Sequence, residues 1–335
     1  MAPFNARPPV HLWVYNHSFY GISDQVDFLV MALQQQGYPV SVGKRPSDSR
    51  LNIVIENFSE STRDTLIDFC EARGKRVAVI MTEHLDFVDN QILIHGDPLW
   101  NNNDYMHPAV QVARIQHLFE CLPHICAFLM LGDLPQLINM DQLLPGVPVR
   151  AIGFPSLPKV APDPAVSAQS DLLFTGAVTD YRGRMLDMLR GEGFSIACPE
   201  RFVSRGQRDA LNRSARLVLN IPQRLDWRWL SLMRIIAALR VGKVTVSLGT
   251  ADTSQIAACC PQINLEQPDW LQVLRDHVEG TDALYVRMHA EYEAMAARFM
   301  LEHPFPHDLF DYWQMIDRVP YSGSGDERWT QSYPQ

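Results

Sequence analysis

The stretch LSLMRIIAALRVGKVTVS, Leu230 to Ser247, sets one arginine, Arg234, in an otherwise apolar helical pattern that breaks at Gly242 and Lys243 before the strand-like Val244 to Val246. A guanidinium placed there either faces water at the helix edge or reaches a ligand. That ligand would be an anion, since arginine carries only donors and a permanent positive charge. Upstream, TGAVTDYRGR, Thr175 to Arg184, puts Gly176, Arg182 and Arg184 where a strand gives way to a helix. Backbone N–H groups at helix starts attract phosphates, although the loop lacks GxGxxG and arginines near helix starts are often simply solvated. A third loop, IPQRLDWRW, offers Asp226 as the N-cap of the following helix, which places Arg234 two turns along. Trp227 and Trp229 read either as a stacking platform or as core.

Proton-transfer candidates gather in the first half. The loop NHSFYGISD carries His17, Ser18 and Asp24, and TEHLD carries Glu83 and His84 at the end of another strand. His17, Asp24 and Glu83 are the candidate bases that would take a proton from a hydroxyl nucleophile. The polar stretch HGDPLWNNNDYMHP adds His95, Asp97, Asp104 and His107. With His84, the residues His95 and Asp97 either line an acceptor side or form a surface excursion. Metal chemistry is weakly supported: there is no HExxH, no EF-hand loop and no DxD, and the prolines of HPFPH prevent a two-histidine helical face. No GxSxG elbow occurs.

The elements that would position these residues alternate. Strand-like runs at His11 to Tyr15, Pro39 to Val42, Asn52 to Glu56, Arg76 to Met81, Ile92 to His95, Ala127 to Leu131 and Val149 to Ile152 are interleaved with helical patterns at Gln25 to Gln35, Ser61 to Arg73, Pro108 to Cys121 and Pro135 to Leu143. Short strands separated by helices of ten or more residues predict a parallel sheet covered on both faces. Gly153 to Ser170, with four prolines, reads as a linker. The alternation restarts at Asp171 to Thr175 and continues through strands at Phe194 to Ala197, Leu217 to Ile221, Val244 to Val246 and Gln262 to Leu265. Helical patterns at Arg182 to Arg190, Ser204 to Ser214 and Asp226 to Arg240 lie between them. From Pro268 the chain is mainly helical, and its last stretch reads as a loose tail. The expectation is α/β, with two Rossmann-like domains facing across a cleft: an N-terminal acceptor-side domain over 1–153, a second domain over 171–300 and a C-terminal helix with a loose tail over 301–335.

The 335 residues, 47% apolar and 20% charged, suit a globular protein with two cores. A net charge of −9 and the lack of any long basic run argue against nucleic acid as a partner. No apolar segment is long enough for a signal peptide or a membrane span, which points to a cytoplasmic protein. The six cysteines have no CxxC spacing and read as reduced thiols, mostly buried.

The runs SARLVLNIPQ and MRIIAALRVGKVTVS resemble the "LN…R-hydrophobic-E-A-L-x-x-G…V-V-S" pattern of bacterial GT-B glycosyltransferases of the spore-maturation, CgeB-like type and related family 1-like transferases. DLLFTGAVTDYRGRMLDMLRGEGFSI resembles the opening of their nucleotide-binding domain. The likeness covers about Asp171 to Asn264; the first half shares only architecture. It implies a metal-independent transferase without a cofactor, which moves a sugar from a nucleotide-sugar donor, held by the second domain, to a hydroxyl on a saccharide or other acceptor. It also implies donor-side roles for Gly176, Arg182, Arg184, Asn220, Arg234 and Ser247, with Arg234 near the diphosphate. Two family carboxylates are missing, because Ala237 and Leu248 stand in their places. Their absence leaves Asp252 or Glu266 as substitutes, and leaves a non-catalytic binding or scaffold protein as the alternative.

Overall fold

The computed structural model describes residues 7–15, 19–55, 58–81, 85–94, 97–99, 108–132, 146–161, 168–201, 203–225, 227 and 229–318. The first parallel sheet contains β1 (Val10–Trp13), β2 (Val40–Gly43), β3 (Leu51–Ile55), β4 (Val77–Ile80), β8 (Ile125–Leu131) and β9 (Val149–Ile152), in the order β2-β1-β3-β4-β8-β9. Its strands are near-continuous apolar runs because both faces are covered. Val10, Leu12 and Val14 belong to the core shared with α1 (Phe19–Gln35), whereas Trp13 and Tyr15 enter the opposite core. Residues from α2 (Glu60–Arg73) and α3 (Pro108–Cys121) close that second core. The expected helix at Pro135 to Leu143 lies outside the described residues.

One predicted strand belongs elsewhere. The run expected at Ile92 to His95 is β6 (Gln91–Ile94), which pairs antiparallel with β5 (Leu85–Val88) and β7 (Asp97–Pro98) in a separate three-stranded sheet. Asp89 and Asn90 connect the first two strands with φ of 50° and 61°. Two left-handed residues in succession suit the tight turn that twists with an antiparallel ribbon, and Asp and Asn tolerate that region better than most. A hairpin thus interrupts the βα alternation.

The second parallel sheet comprises β10 (Ser170–Leu173), β11 (Ile196–Ala197), β12 (Ala215–Asn220), β13 (Val244–Leu248) and β14 (Gln262–Ile263), ordered β11-β10-β12-β13-β14. Its helices are α4 (Asp180–Gly191), α5 (Arg205–Ser214) and α6 (Leu232–Leu239), followed by α7 (Trp270–Glu279), α8 (Thr281–Glu302) and α9 (His307–Arg318). Helix α5 starts with a full capping box: the Ser204 side chain accepts from the Gln207 N–H, and the Gln207 side chain accepts from the Ser204 N–H. In both sheets the first strand lies between the second and the third. Strand order therefore reverses beside β1 in one lobe and beside β10 in the other, and open α/β sheets bind ligands outside the carboxyl ends of their strands at such a reversal.

The linker is not slack where it is described. Along α8, the Tyr292 hydroxyl donates to Pro155 O at 2.7 Å, His289 Nε2 donates to Leu157 O at 3.0 Å, and Glu293 accepts from the Leu157 N–H at 2.8 Å. Gln35 of α1 pairs with both the N–H and the C=O of Ser156. Helix α9 then returns to the first lobe, where Trp313 Nε1 donates to Arg76 O and Lys75 meets Asp317 at 3.3 Å. Phe310 and Trp313 are buried there, and side chains of this size contribute roughly 1.5–3 kcal/mol each on burial.

Candidate functional site

The strand reversal in the second lobe brings together the end of β10, the end of β12 and the start of α6. Phe174 follows β10 directly and is buried. Two guanidinium groups lie over its ring: Arg182 Cζ and Arg234 Cζ are each 5.4 Å from the ring centre, within cation–π range. Gly176 makes this approach possible, because a Cβ there would lie 2.8 Å from Phe174 Cζ and 2.9 Å from Arg234 Nη2.

Helix α6 begins at Leu232, with Ser231 in the N-cap position, so the cap is not Asp226, which lies outside the described residues. Arg234 consequently stands in the first turn rather than two turns along. The chain before the helix is kept from coiling by Asp252, whose Oδ2 accepts the Leu230 N–H at 2.8 Å while its Oδ1 accepts the Ser254 N–H at 2.7 Å. Arg224 lies over the Trp227 ring at 5.1 Å in the same loop.

A buried hydrogen-bond chain aims Arg234. Its Nη1 donates to Asn220 Oδ1; Asn220 Nδ2 donates to Ser247 Oγ at 2.8 Å; Thr250 Oγ1 donates to the same Ser247 oxygen at 2.8 Å. Asn220, Ser247 and Thr250 are buried, so the network fixes which way the Asn220 amide faces and presents its oxygen to the guanidinium. Arg182 is committed differently: Nε donates to Ile221 O and Nη1 to Ala177 O, both at 2.9 Å, tying the loop after β10 to the loop after β12. Thr179 adds a second tie, capping α4 and donating to Gln223 O at 2.8 Å.

Neither arginine forms an ion pair with a carboxylate among the described residues. Burial lowers the Arg234 pKa to about 10, and burial together with the neighbouring Arg234 lowers Arg182 to about 10. Both stay protonated at neutral pH. A buried cation at Arg182 and a half-buried one at Arg234, with their hydrogen bonds going to neutral oxygens among the described residues, leave positive charge that an anion would balance.

Of the six donor-side residues, Gly176, Arg182, Asn220, Arg234 and Ser247 converge here. Arg184 does not: it is exposed on α4 and takes no part in the cluster. Asp252 is spent on two backbone N–H groups and Glu266 is exposed, so neither replaces the missing carboxylates in this arrangement. Ala237 and Leu248 are buried and apolar. Phe174, Thr179 and Thr250 escaped sequence reasoning; Phe174 alone left a signal, as the aromatic that ends an apolar run just before a glycine loop.

On the first lobe, His17, Ser18, Glu83, His84, His95, Asp104 and His107 lie outside the described residues. Asp97 sits in β7 rather than in a loop, because its backbone pairs with Ile94. Asp24 lies on α1 where that helix meets the second lobe, with Arg208 Nη2 2.6 Å from its Oδ1. Burial, opposed by Arg208, raises its pKa to about 6. A carboxylate held by an arginine is a poor free base, so the expected proton-acceptor role does not suit Asp24 in this arrangement.

Among the described residues, no group of three or more His, Cys, Asp or Glu is placed to hold a metal ion, and no helix is long and apolar enough to cross a membrane. None of the six cysteines is joined to another in a disulfide.

No family model and no characterised protein sequence matches the chain. Similar solved structures include T4 phage BGT in complex with UDP-glucose, at 11% identity and a TM-score of 0.46, covering 93% of this chain and all of that one. Another is AviGT4, a glycosyltransferase involved in avilamycin A biosynthesis, at 13% identity and a TM-score of 0.46, with 91% and 98% covered. A third is a mutant of S. aureus TarM in complex with fondaparinux, alpha-GlcNAc-glycerol and UDP, at 10% identity and a TM-score of 0.44. The chain spans about 56% of that TarM chain, and the match covers 82% of this one. With likeness this remote, the residues of the site carry the functional reading.

Proposed function

We propose that the chain is a glycosyltransferase of GT-B type that takes a nucleotide-activated sugar and transfers it to an acceptor hydroxyl. The observation that carries this reading is the pair of arginines, Arg182 buried and Arg234 half-buried, without carboxylate partners among the described residues and set on one aromatic ring at the strand reversal of the second sheet. In the reaction the acceptor oxygen forms a bond to the anomeric carbon as the bond from that carbon to the diphosphate breaks, and negative charge grows on the departing oxygen. Arg234, aimed by Asn220 and carrying Nε and Nη2 free of acceptors among the described residues, stabilises that charge without reorganising. Arg182 acts mainly by fixing the two loops and adding to the field. The acceptor proton falls to His17 or Glu83, since Arg208 occupies Asp24.

A panel of UDP- and GDP-linked sugars, with release of the nucleoside diphosphate as readout, tests the proposal. Slow hydrolysis or transfer that Arg234→Ala abolishes supports it; no turnover of any donor counts against it. The apolar residues Ala237 and Leu248 favour a second reading, a protein that binds the nucleotide without turning it over. Saturable UDP binding with no release from any sugar nucleotide would select that reading.

A further inference from the structure

The first lobe meets the second through two contacts of different chemistry. One is apolar: Phe154, just past β9, has its ring centre 6.2 Å from that of Phe28 in α1, and 5.0 and 6.3 Å from those of Phe299 and Tyr292 in α8, each pair meeting edge to face. All four rings are buried. Gly132 and Gly153 make room for this joint, since a Cβ on the first would collide with the Phe154 ring and one on the second with Met300 Sδ. The other contact is ionic. Arg208 Nη2 of α5 donates to Asp24 Oδ1 at 2.6 Å and to Ser23 Oγ at 2.8 Å. One turn along α1, Asp27 meets Arg205 of α5 at 2.7 Å and Arg240, at the end of α6, at 3.2 Å, while Arg240 also reaches Asp209 of α5 at 2.7 Å. Three carboxylates thus face three guanidinium groups, and Arg208 Nε is buried with no acceptor among the described residues. Taking paired charges out of water costs about what their attraction returns, whereas apolar burial carries no such offset. Of the two contacts, the ionic one is the first to part.

We propose that the seam of α1 with α5 and α6 is an ionic latch between the lobes, which opens and re-forms while the aromatic joint at Phe154 holds as the pivot. Helix α1 follows β1, beside which the first sheet reverses, and α6 begins with the turn that carries Arg234. The latch therefore joins helices that start at the two strand reversals, and its state sets how far apart those sites stand. It needs no ligand, so it stands or falls separately from the reading of Arg234 as an anion-binding residue.

Small-angle X-ray scattering from the full chain tests the latch through wild type, Arg208→Gln and the exchanged pair Asp24→Arg/Arg208→Asp, each at about 0.05 M and about 1 M salt at neutral pH. A compact chain of this length has a radius of gyration of about 20 Å, and the wild type is expected to gain about 1 Å at the higher salt, which screens the pairs as they part. Arg208→Gln leaves Asp24 without its cation and should show the larger radius at low salt already, with little further change. The exchanged pair restores opposite charges and should return to the wild-type radius and salt response. A wild-type radius that ignores salt overturns the latch. So does Arg208→Gln scattering as wild type does, or an exchanged pair that scatters as Arg208→Gln does. If the variants do not fold, amide exchange in the wild type decides: at the higher salt, α1 and α5 should exchange about tenfold faster while β3 and β12 keep their protection. Unchanged exchange in α1 and α5, or an equal rise in the strands, contradicts the latch.

Discussion

Arg182 and Arg234 share one face-to-ring partner, each guanidinium carbon lying 5.4 Å from the centre of the Phe174 ring, yet they spend their hydrogen bonds in different ways. Arg182 donates to two backbone carbonyls, whereas Arg234 donates one N–H to Asn220 and, among the described residues, its other N–H groups meet no acceptor. The first is fastened to the fold and the second is held ready. Substitutions at the two positions should separate accordingly.

Arg182→Met removes the donors that satisfy Ile221 O and Ala177 O in a buried setting. A loss of stability of about 2–4 kcal/mol is expected in urea denaturation, given the cost of stranding buried carbonyls bonded to a charged donor. Arg234→Met removes a half-buried charge bonded to one neutral oxygen, and its stability should change far less.

Gly176→Ala would place a methyl 2.9 Å from Arg234 Nη2 and 2.8 Å from Phe174 Cζ. One of them must move. The expected result is UDP binding weakened by about tenfold, at roughly 1.4 kcal/mol, while the far-ultraviolet spectrum and the unfolding cooperativity stay those of the wild type.

The fold was legible where burial dictates pattern. Runs such as LNIVI and VAVI sit between two covered faces, so they are apolar throughout and read as parallel strands. The hairpin formed by β5 and β6 was missed because its strands follow one another like any other pair of short runs, and only the Asp89–Asn90 turn sets it apart. The start of α6 was misplaced because Asp226 looks like a cap, whereas a tertiary contact from Asp252 delays the helix to Leu232. Within the site, the glycine, the asparagine and two arginines were visible from their places after strands. Arg208 was not, because an arginine in a polar helix carries no sign of the carboxylate it meets across 184 positions of chain.

Asn220→Asp would set a carboxylate against Arg234 and supply the balance that we assign to the ligand. Thermal unfolding should move little, but UDP affinity should fall by more than tenfold, because the new carboxylate repels the diphosphate and occupies the guanidinium. Unchanged affinity would show that UDP binding does not depend on the charge of Arg234.

The carboxyl of Asp24 has its pKa raised to about 6 by burial, against the 3.8 of an ordinary aspartate. A raised acid pKa means that the folded state binds the proton more readily than the unfolded one. The stability contributed by Asp24 is therefore greatest below about pH 4 and declines as pH rises through 6. Urea denaturation of wild type and Asp24→Asn from pH 4 to 8 isolates this group from the other titrating residues: the stability of wild type relative to the variant should fall by on the order of 1–3 kcal/mol over pH 4–6 and then level off. A difference that rises over that range would reverse the sign of the account.

The most direct measurement is calorimetric titration of UDP into wild type and Arg234→Ala at neutral pH. The loss of one charge-assisted contact to a diphosphate, worth about 2 kcal/mol, predicts saturable binding by the wild type and affinity at least 30-fold weaker in the variant. Equal affinity in the two proteins would contradict the claim that the unpaired guanidinium of Arg234 holds the anionic leaving group.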